Sequence, residues 1–243
     1  MYNCLILGSG RSGTSMIGGT LAPGGYFFGD KIIPPRAANP KGFFESGVVN
    51  NVNERILKNV MPTLQYGHRW LGLVGLPGAK NLYVSGKIVK EIKELVAKQP
   101  FCYKDPRFCY TLPIWRPHLK NTKFICVFRH PQSTIASILK ECRTAPYLQN
   151  MKITKKKAQN IWRLMHTHVV ERHRKQGEWL FIHYNQMFNM DTLTKIEEFL
   201  QTKVDKSFPE RKLVRPVTNN IKLLPETQRI YRILCNLANY EES

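Results

Sequence analysis

The sequence is poor in acidic residues and contains no long hydrophobic run. Its 243 residues include 17 Asp and Glu against 37 Lys and Arg, a formal net charge of +20. No apolar stretch approaches the roughly 20 residues that a membrane-spanning helix requires, so we expect no transmembrane segment. The first residues, MYNCLILGSG, lack the basic start of a secretory signal peptide, and we therefore expect a cytoplasmic protein.

Closely spaced cysteines are also lacking. The six Cys are scattered, and none of them forms a CxxC pair, the spacing typical of structural zinc sites. We therefore expect reduced thiols, no metal site and no disulfide framework. Because 42% of the residues are hydrophobic and 11% are aromatic, the composition is that of a folded protein rather than of a disordered polycation.

The excess of positive charge indicates an anionic partner. Nucleic acid, a membrane surface and a phosphorylated or sulfated small molecule all fit this requirement. Residues 151–180 alone hold eight Lys and Arg but two Glu, and an acidic acceptor is one hypothesis for this excess in the C-terminal half.

Short apolar segments alternate with helical patterns along the chain. Strands are predicted over residues 2–7, 101–104, 123–128 and 179–184. Helices are predicted over residues 12–21, 48–60, 84–98, 131–142, 155–176 and 191–200. Continuous apolar strands that alternate with helices favour a single α/β domain with a central parallel sheet flanked by helices. Its core is expected over residues 2–200, followed by a basic C-terminal extension over 201–243.

A glycine-rich loop lies between the first predicted strand and the first predicted helix. Its sequence is Gly8-Ser-Gly-Arg-Ser-Gly-Thr-Ser15. Glycines allow backbone N–H groups to converge on an anion, and the N-terminus of the following helix favours negative charge. The loop fits the dinucleotide fingerprint GxGxxG and nearly fits the phosphate loop GxxxxGK(S/T). In the second pattern Thr14 replaces the lysine, and the positive charge moves to Arg11.

Several interpretations of this loop stay open. A dinucleotide-dependent oxidoreductase would use an acidic residue about 20 positions downstream, where Asp30 lies, although its neighbours form a poor strand. A triphosphate kinase would need the missing lysine and a magnesium carboxylate, whereas the third strand ends in Arg129. The loop also suits a phosphosulfate bound by basic side chains and backbone amides. A non-enzymatic nucleotide-binding or nucleic-acid-binding protein is a further alternative.

A second candidate anion site follows the third predicted strand. Arg129 closes the strand, Pro131 suits the first turn of a helix, and Ser137 lies two turns further along. A guanidinium at a strand end and a hydroxyl on the next helix are well suited to bind one phosphate.

Together the two sites resemble those of the sulfotransferases that use 3′-phosphoadenosine-5′-phosphosulfate (PAPS). That family has a 5′-phosphosulfate loop after its first strand, here GSGRSGTS, and a 3′-phosphate motif in which Ser follows Arg by eight residues, as in RHPQSTIAS. The KDPR segment at 104–107 and the segment from HYNQMF to DTLTKIEEFL also match, so the resemblance covers about residues 2–200.

The resemblance implies a fold, a reaction and a set of binding residues. The fold is a P-loop-like α/β domain. The reaction transfers a sulfuryl group in line from PAPS to an acceptor hydroxyl or amine, without a metal, and leaves 3′-phosphoadenosine-5′-phosphate (PAP). Arg129 and Ser137 would bind the 3′-phosphate, and Tyr184 would lie near the adenine. The 5′-phosphosulfate would be bound by Arg11, Ser12, Gly13, Thr14 and Ser15.

The family often closes over the 3′-phosphate with a segment rich in Arg and Gly. Here the basic segment PERKLVRPV (209–217) is available, without the glycines. It makes Arg211, Lys212 and Arg215 further candidates for binding the 3′-phosphate.

Glu45 is the predicted general base. The cytosolic branch of the family uses a His soon after the basic residue of the second strand, but here the first His after Lys104 is His118. Other branches use a Glu, and the sequence NPKGFFE, which ends at Glu45, resembles their motif NPxGFFE. We expect the adjacent residues Phe43 and Phe44 to desolvate this carboxyl and raise its pKa.

Other residues are assigned to charge stabilisation and to the acceptor pocket. Arg11 and Lys104 are the candidates for stabilising charge on the leaving phosphate, and His68 is an alternative base. Segments 22–47 and 61–82 are expected to shape the acceptor pocket, because long irregular loops in compact domains are often functional.

Overall fold

In the computed structural model, four parallel strands form the centre of the fold. They are β1 (Asn3–Leu7), β2 (Cys102–Lys104), β3 (Thr122–Phe128) and β4 (Trp179–His183), and their order across the sheet is β2-β1-β3-β4. All three strand pairs are parallel, as predicted; Leu5 lies opposite Tyr103 on one side and opposite Phe124 on the other. The structure describes residues 1–36, 39–58, 60, 71–76, 82–148, 151–213 and 221–242.

Eight α-helices surround the sheet in the described part of the chain. They are α1 (Thr14–Leu21), α2 (Gly47–Lys58), α3 (Gly86–Ala97), α4 (Phe108–Trp115), α5 (Pro131–Thr144), α6 (Lys155–Glu171), α7 (Met190–Leu200) and α8 (Pro225–Ala238). Because successive side chains of a strand point to opposite faces, Leu5 and Leu7 pack with α2, α3, α4, α6 and α8. Cys4 and Ile6 pack on the other face with α1 and α7. The predicted α/β class with helices on both faces is confirmed.

Two helices were not predicted from the sequence. Helix α4 contains Pro113 in its interior, and such a proline normally argues against a helix. Helix α8 begins at Pro225, a favourable first helical residue, and it buries Ile230 and Leu234 in the core beside the sheet. Thus part of the segment 201–243 contributes to the same hydrophobic core as the strands.

Two simpler properties follow from the described residues. None of the helices within the described ranges is long and apolar enough to cross a membrane. All six cysteines are described, and each is a free thiol.

His166 and His173 are two of the four buried histidines in the described part of the chain. His166 Nδ1 lies 2.8 Å from the Trp162 carbonyl oxygen, and His173 Nε2 lies 2.9 Å from the Cys109 carbonyl oxygen. Burial lowers the pKa of each imidazole from 6.5 to about 4. Their charged forms are therefore disfavoured in the folded protein.

We expect the protein to lose stability as the pH falls from about 6.5 towards 4. In this window the unfolded chain takes up protons on these imidazoles and the folded chain does not, so unfolding becomes more favourable by up to about 1.4 kcal/mol per pH unit for each histidine. The substitution His173→Gln should reduce this pH dependence in urea denaturation experiments, and His118→Gln, at a partly exposed position, is the control. An unchanged pH dependence in the His173 variant would contradict the assignment.

Candidate active site

A cavity of about 280 Å³ opens at the carboxyl ends of the strands. The β1–α1 loop, the β3–α5 junction and the residue after β4 all contribute to its wall. The residues predicted for nucleotide binding that line it are eight: Arg11, Gly13, Thr14, Ser15, Arg129, Ser137, Tyr184 and Lys212. The parallel sheet thus gathers segments that are far apart in the sequence at one edge.

The β1–α1 loop packs tightly against its neighbours. Gly8 has a φ of +139°, and a Cβ at this residue would lie 2.1 Å from the Val127 carbonyl oxygen of β3. Gly13 has a φ of +98°, and a Cβ there would lie 2.5 Å from Cδ2 of Tyr184. Glycine is therefore required at both positions by conformation and by space.

Ser12 has a different position from its neighbours in the loop. Its side chain is buried, and its hydroxyl lies 2.7 Å from the hydroxyl of Ser9. It is not among the residues that line the cavity. Its side chain therefore stabilises the loop through Ser9, on the side away from the cavity.

Arg11 connects the loop to helix α5. Its Nε donates a hydrogen bond to Ser137 Oγ at 3.2 Å and pairs with Glu141 Oε2, also at 3.2 Å. Ser137 and Glu141 lie one helical turn apart and so share a face of α5. Glu141 was not predicted from the sequence, because its partner Arg11 lies far away along the chain.

Arg129 stacks on Tyr184. The guanidinium carbon lies 4.5 Å from the ring centroid, the geometry of a cation–π contact. Burial lowers the pKa of Arg129, and the nearby charge of Arg11 lowers it further. Two guanidinium groups thus approach the same partly buried region, which favours an anion between them.

Lys104 and Glu45 form a buried ion pair beside the cavity. Lys104 Nζ also donates to Ser15 Oγ at 3.1 Å, and Asn50 Nδ2 donates to Glu45 Oε2 at 2.9 Å. Through Ser15 this pair touches the cavity wall, although neither charged residue lines the cavity directly.

The expected increase in the Glu45 pKa is wrong. Burial of the carboxyl does favour the neutral form, but the ammonium of Lys104 outweighs it and holds the pKa of Glu45 below its ordinary value. Phe44, which was expected to desolvate Glu45, lies against helix α1 instead: a Cβ at Gly18 would lie 2.7 Å from Phe44 Cβ. The sequence did not reveal that Lys104 lies so close to Glu45.

The residues that follow Lys104 in the KDPR segment fix the end of β2 against helix α2. Arg107 Nη1 pairs with Asp105 Oδ1 at 2.8 Å, and Asn53 Nδ2 donates to Asp105 Oδ2 at 2.8 Å. Arg107 Nε also pairs with Glu54. Because Asn53 and Glu54 belong to α2, these bonds tie the end of β2 to the helix that follows Glu45.

The outer wall of the cavity comes from the start of the NPKGFFE motif and from the start of the basic segment 209–217, whose Lys212 was a candidate for binding the 3′-phosphate. One contributes Asn39, Pro40 and Lys41, and the other contributes Phe208, Glu210 and Lys212. Lys41 and Lys212 pair with Glu210 at 2.6 and 2.8 Å, and together they lower the pKa of Glu210 to about 2.

This wall also packs on helix α1. A Cβ at Gly19 would lie 1.9 Å from the Phe208 ring. The glycine therefore makes room for the ring and lets the wall approach the helix.

Other predicted residues lie elsewhere. Asp30 belongs to an irregular segment rather than to a strand end, and its half-exposed carboxylate pairs with Lys98 at 2.8 Å. Arg211 lies over the ring of Phe188. Arg215 and His68 lie outside the described residues. The described residues contain no group of three or more His, Cys, Asp or Glu that could hold a metal ion.

Solved structures of sulfotransferase domains are similar to this chain. One is the sulfotransferase domain from the olefin synthase of Synechococcus PCC 7002, with a TM-score of 0.54 and 18% identity, covering 99% of this chain and 95% of that chain. Another is the sulfotransferase domain from the curacin biosynthetic pathway, with a TM-score of 0.55 and 16% identity, covering 100% of this chain and 99% of that chain. No family model and no curated protein sequence matches the chain. The chain therefore has the α/β fold of these domains.

We expect Gly13→Ala to destabilise the protein by about 1–3 kcal/mol, because the new Cβ would be strained by the positive φ and would collide with Tyr184. Gly10→Ala is the matched control in the same loop, since a Cβ there would have no neighbour within 4 Å, and its effect should stay below about 0.5 kcal/mol. Urea denaturation measures both. Equal effects of the two variants would argue against the contact between Gly13 and Tyr184.

Proposed function

We propose that this protein is a PAPS-dependent sulfotransferase that transfers a sulfuryl group to an acceptor hydroxyl or amine. The observation that carries the proposal is the meeting of the two anion motifs at one cavity. Arg11 of the β1–α1 loop reaches Ser137 of α5 across 126 positions of sequence, with Nε and Oγ 3.2 Å apart. A nucleotide with phosphate groups at its 3′ and 5′ positions requires two anion sites at one cavity.

The charges and size of the cavity suit this nucleotide. Its wall contains the cationic residues Arg11, Arg129, Lys41 and Lys212, which are suitable partners for phosphate oxygens. Its volume of about 280 Å³ is close to the lower end of the range for small-molecule sites, roughly 300–1,000 Å³. We assign the 5′-phosphosulfate to the loop residues and the 3′-phosphate to Arg129 and Ser137.

Tyr184 has a double role in this proposal. It lies near the adenine, as the resemblance implies. Its ring also stacks on the Arg129 guanidinium and so limits the orientations of that group. This contact would help to hold Arg129 in place for the 3′-phosphate.

Glu45 is the proposed general base. It takes the proton of the acceptor as the new bond from sulfur to the acceptor forms and the bond from sulfur to the 5′-phosphate oxygen breaks. The lowered pKa of Glu45 keeps the carboxylate ionised at neutral pH, as a base must be. Lys104 and Arg11 stabilise the negative charge that develops on the departing phosphate.

We expect PAP to bind the wild-type protein and Arg129→Ala to weaken this binding by at least about tenfold, because a charge-assisted hydrogen-bond partner is removed. Isothermal titration calorimetry measures both affinities, with NAD and ATP as competing candidate ligands. Arg229→Ala is the matched control, since Arg229 pairs with Glu171 on the surface between α6 and α8 and should leave PAP affinity unchanged. Clear NAD binding without PAP binding would overturn the proposal in favour of a dinucleotide-dependent enzyme.

We expect Glu45→Asp to lower turnover by roughly 100-fold while PAP affinity stays unchanged, because the shortened side chain withdraws the base from the acceptor. Aspartate keeps the charge that Lys104 requires, whereas Glu45→Gln would leave a buried ammonium without its ionic partner and cost about 3–5 kcal/mol. Turnover is measured as PAP release from PAPS with hydroxyl acceptors that the wild type accepts.

Glu91→Asp is the control for Glu45→Asp, because Glu91 is an ion-paired glutamate on α3, bound to Arg55. It should retain turnover. Retained turnover in the Glu45→Asp variant would contradict the assignment of Glu45 as the general base.

A further inference from the structure

Glu141 is an acidic residue within reach of the proposed phosphate site. Its side chain is only 13% exposed, and its Oε2 lies 3.2 Å from Arg11 Nε. The same Nε donates to Ser137 Oγ at 3.2 Å. Two of the groups that we assign to nucleotide phosphates are therefore held beside a carboxylate.

The position of Glu141 on α5 lets this carboxylate compete with the nucleotide phosphates for Arg11. Residues four apart on a helix lie on the same face, so Glu141 flanks the hydroxyl of Ser137. A 3′-phosphate at Ser137 or a 5′-phosphate at Arg11 would meet the negative charge of Glu141 at short range in a partly buried site, where charges interact more strongly than in water. The 5′-phosphate would also compete with Glu141 for the guanidinium of Arg11.

A competing carboxylate has a clear use in this reaction. PAPS and its product PAP share the 3′-phosphate and the 5′-phosphate, so a purely cationic site would hold the product as firmly as the co-substrate. Slow product release limits turnover in many enzymes. An anion of the protein that opposes the phosphates lowers the affinity for both nucleotides and shortens the residence time of the product.

We propose that Glu141 acts as a competing anion within the site: it pairs with Arg11, weakens the binding of PAP and speeds its release. The inference rests on the proposed function, because it concerns the same nucleotide site. It assigns to Glu141 an effect opposite in sign to that of a residue that merely orients Arg11 for the ligand.

The substitution Glu141→Gln tests the inference because it removes the charge and keeps the shape and a hydrogen-bond acceptor. We expect PAP to bind roughly fivefold more tightly, as the loss of a partly exposed charge pair allows. Its dissociation rate, measured by stopped-flow, should fall by a similar factor. The KM for PAPS and kcat should fall together, a pattern that a structural defect would not produce.

Glu171→Gln is the matched control, because it makes the same change in net charge at an exposed ion pair with Arg229. It should leave PAP affinity unchanged. Weaker or unchanged PAP binding by the Glu141 variant would overturn this inference alone, as would equal tightening by both variants. Absence of PAP binding to the wild-type protein would overturn the proposed function, and this inference with it.

Discussion

The parallel pairing of β1 with β3 is the interaction on which the rest of the site depends. All five residues of β1 are buried, and the register places Leu7 opposite Cys126. The chain then leaves β1 at Gly8, which lies directly against the Val127 carbonyl oxygen. This contact brings the loop with Arg11 to the same edge as Arg129, which follows β3. The pairing of β1 with β3 therefore places Arg11 and Arg129 at the same cavity.

Acidic residues are scarce in this chain, and the site uses several of them as counterions. Glu45 pairs with Lys104, Glu141 with Arg11, and Glu210 with Lys41 and Lys212. The cations at the cavity are thus partly balanced by carboxylates of the protein, since Glu210 alone serves two lysines. The net charge of +20 is a property of the whole surface, and an acidic acceptor stays a prediction from it. In the cavity, pairs between specific side chains matter more than total charge.

The prediction of the fold from the sequence was reliable where the signal was local. Short apolar runs predicted the buried strands, because a strand that is covered by helices on both faces needs apolar side chains on both faces. Helix α4 was not predicted, because Pro113 in its interior normally argues against a helix. Tertiary packing in the core stabilises it nevertheless. In the site, the glycine loop and the pair of Arg129 and Ser137 were recognisable because their spacing within one strand–helix unit is short. Lys41 and Glu141 carried no such signal, because their partners Glu210 and Arg11 lie far away in the sequence.

By itself, the sequence determined the α/β class, the approximate positions of the strands and the residues that meet at their carboxyl ends. These features follow from hydrophobic periodicity and from turn chemistry, which act over a few residues. Only the tertiary structure decided which charges neutralise each other, and therefore that the pKa of Glu45 is lowered rather than raised. An electrostatic interaction depends on the distance between two charges and on their burial. The distance and the burial are both set by tertiary packing. Glu45 and Lys104 lie far apart in the sequence, and the fold brings them together.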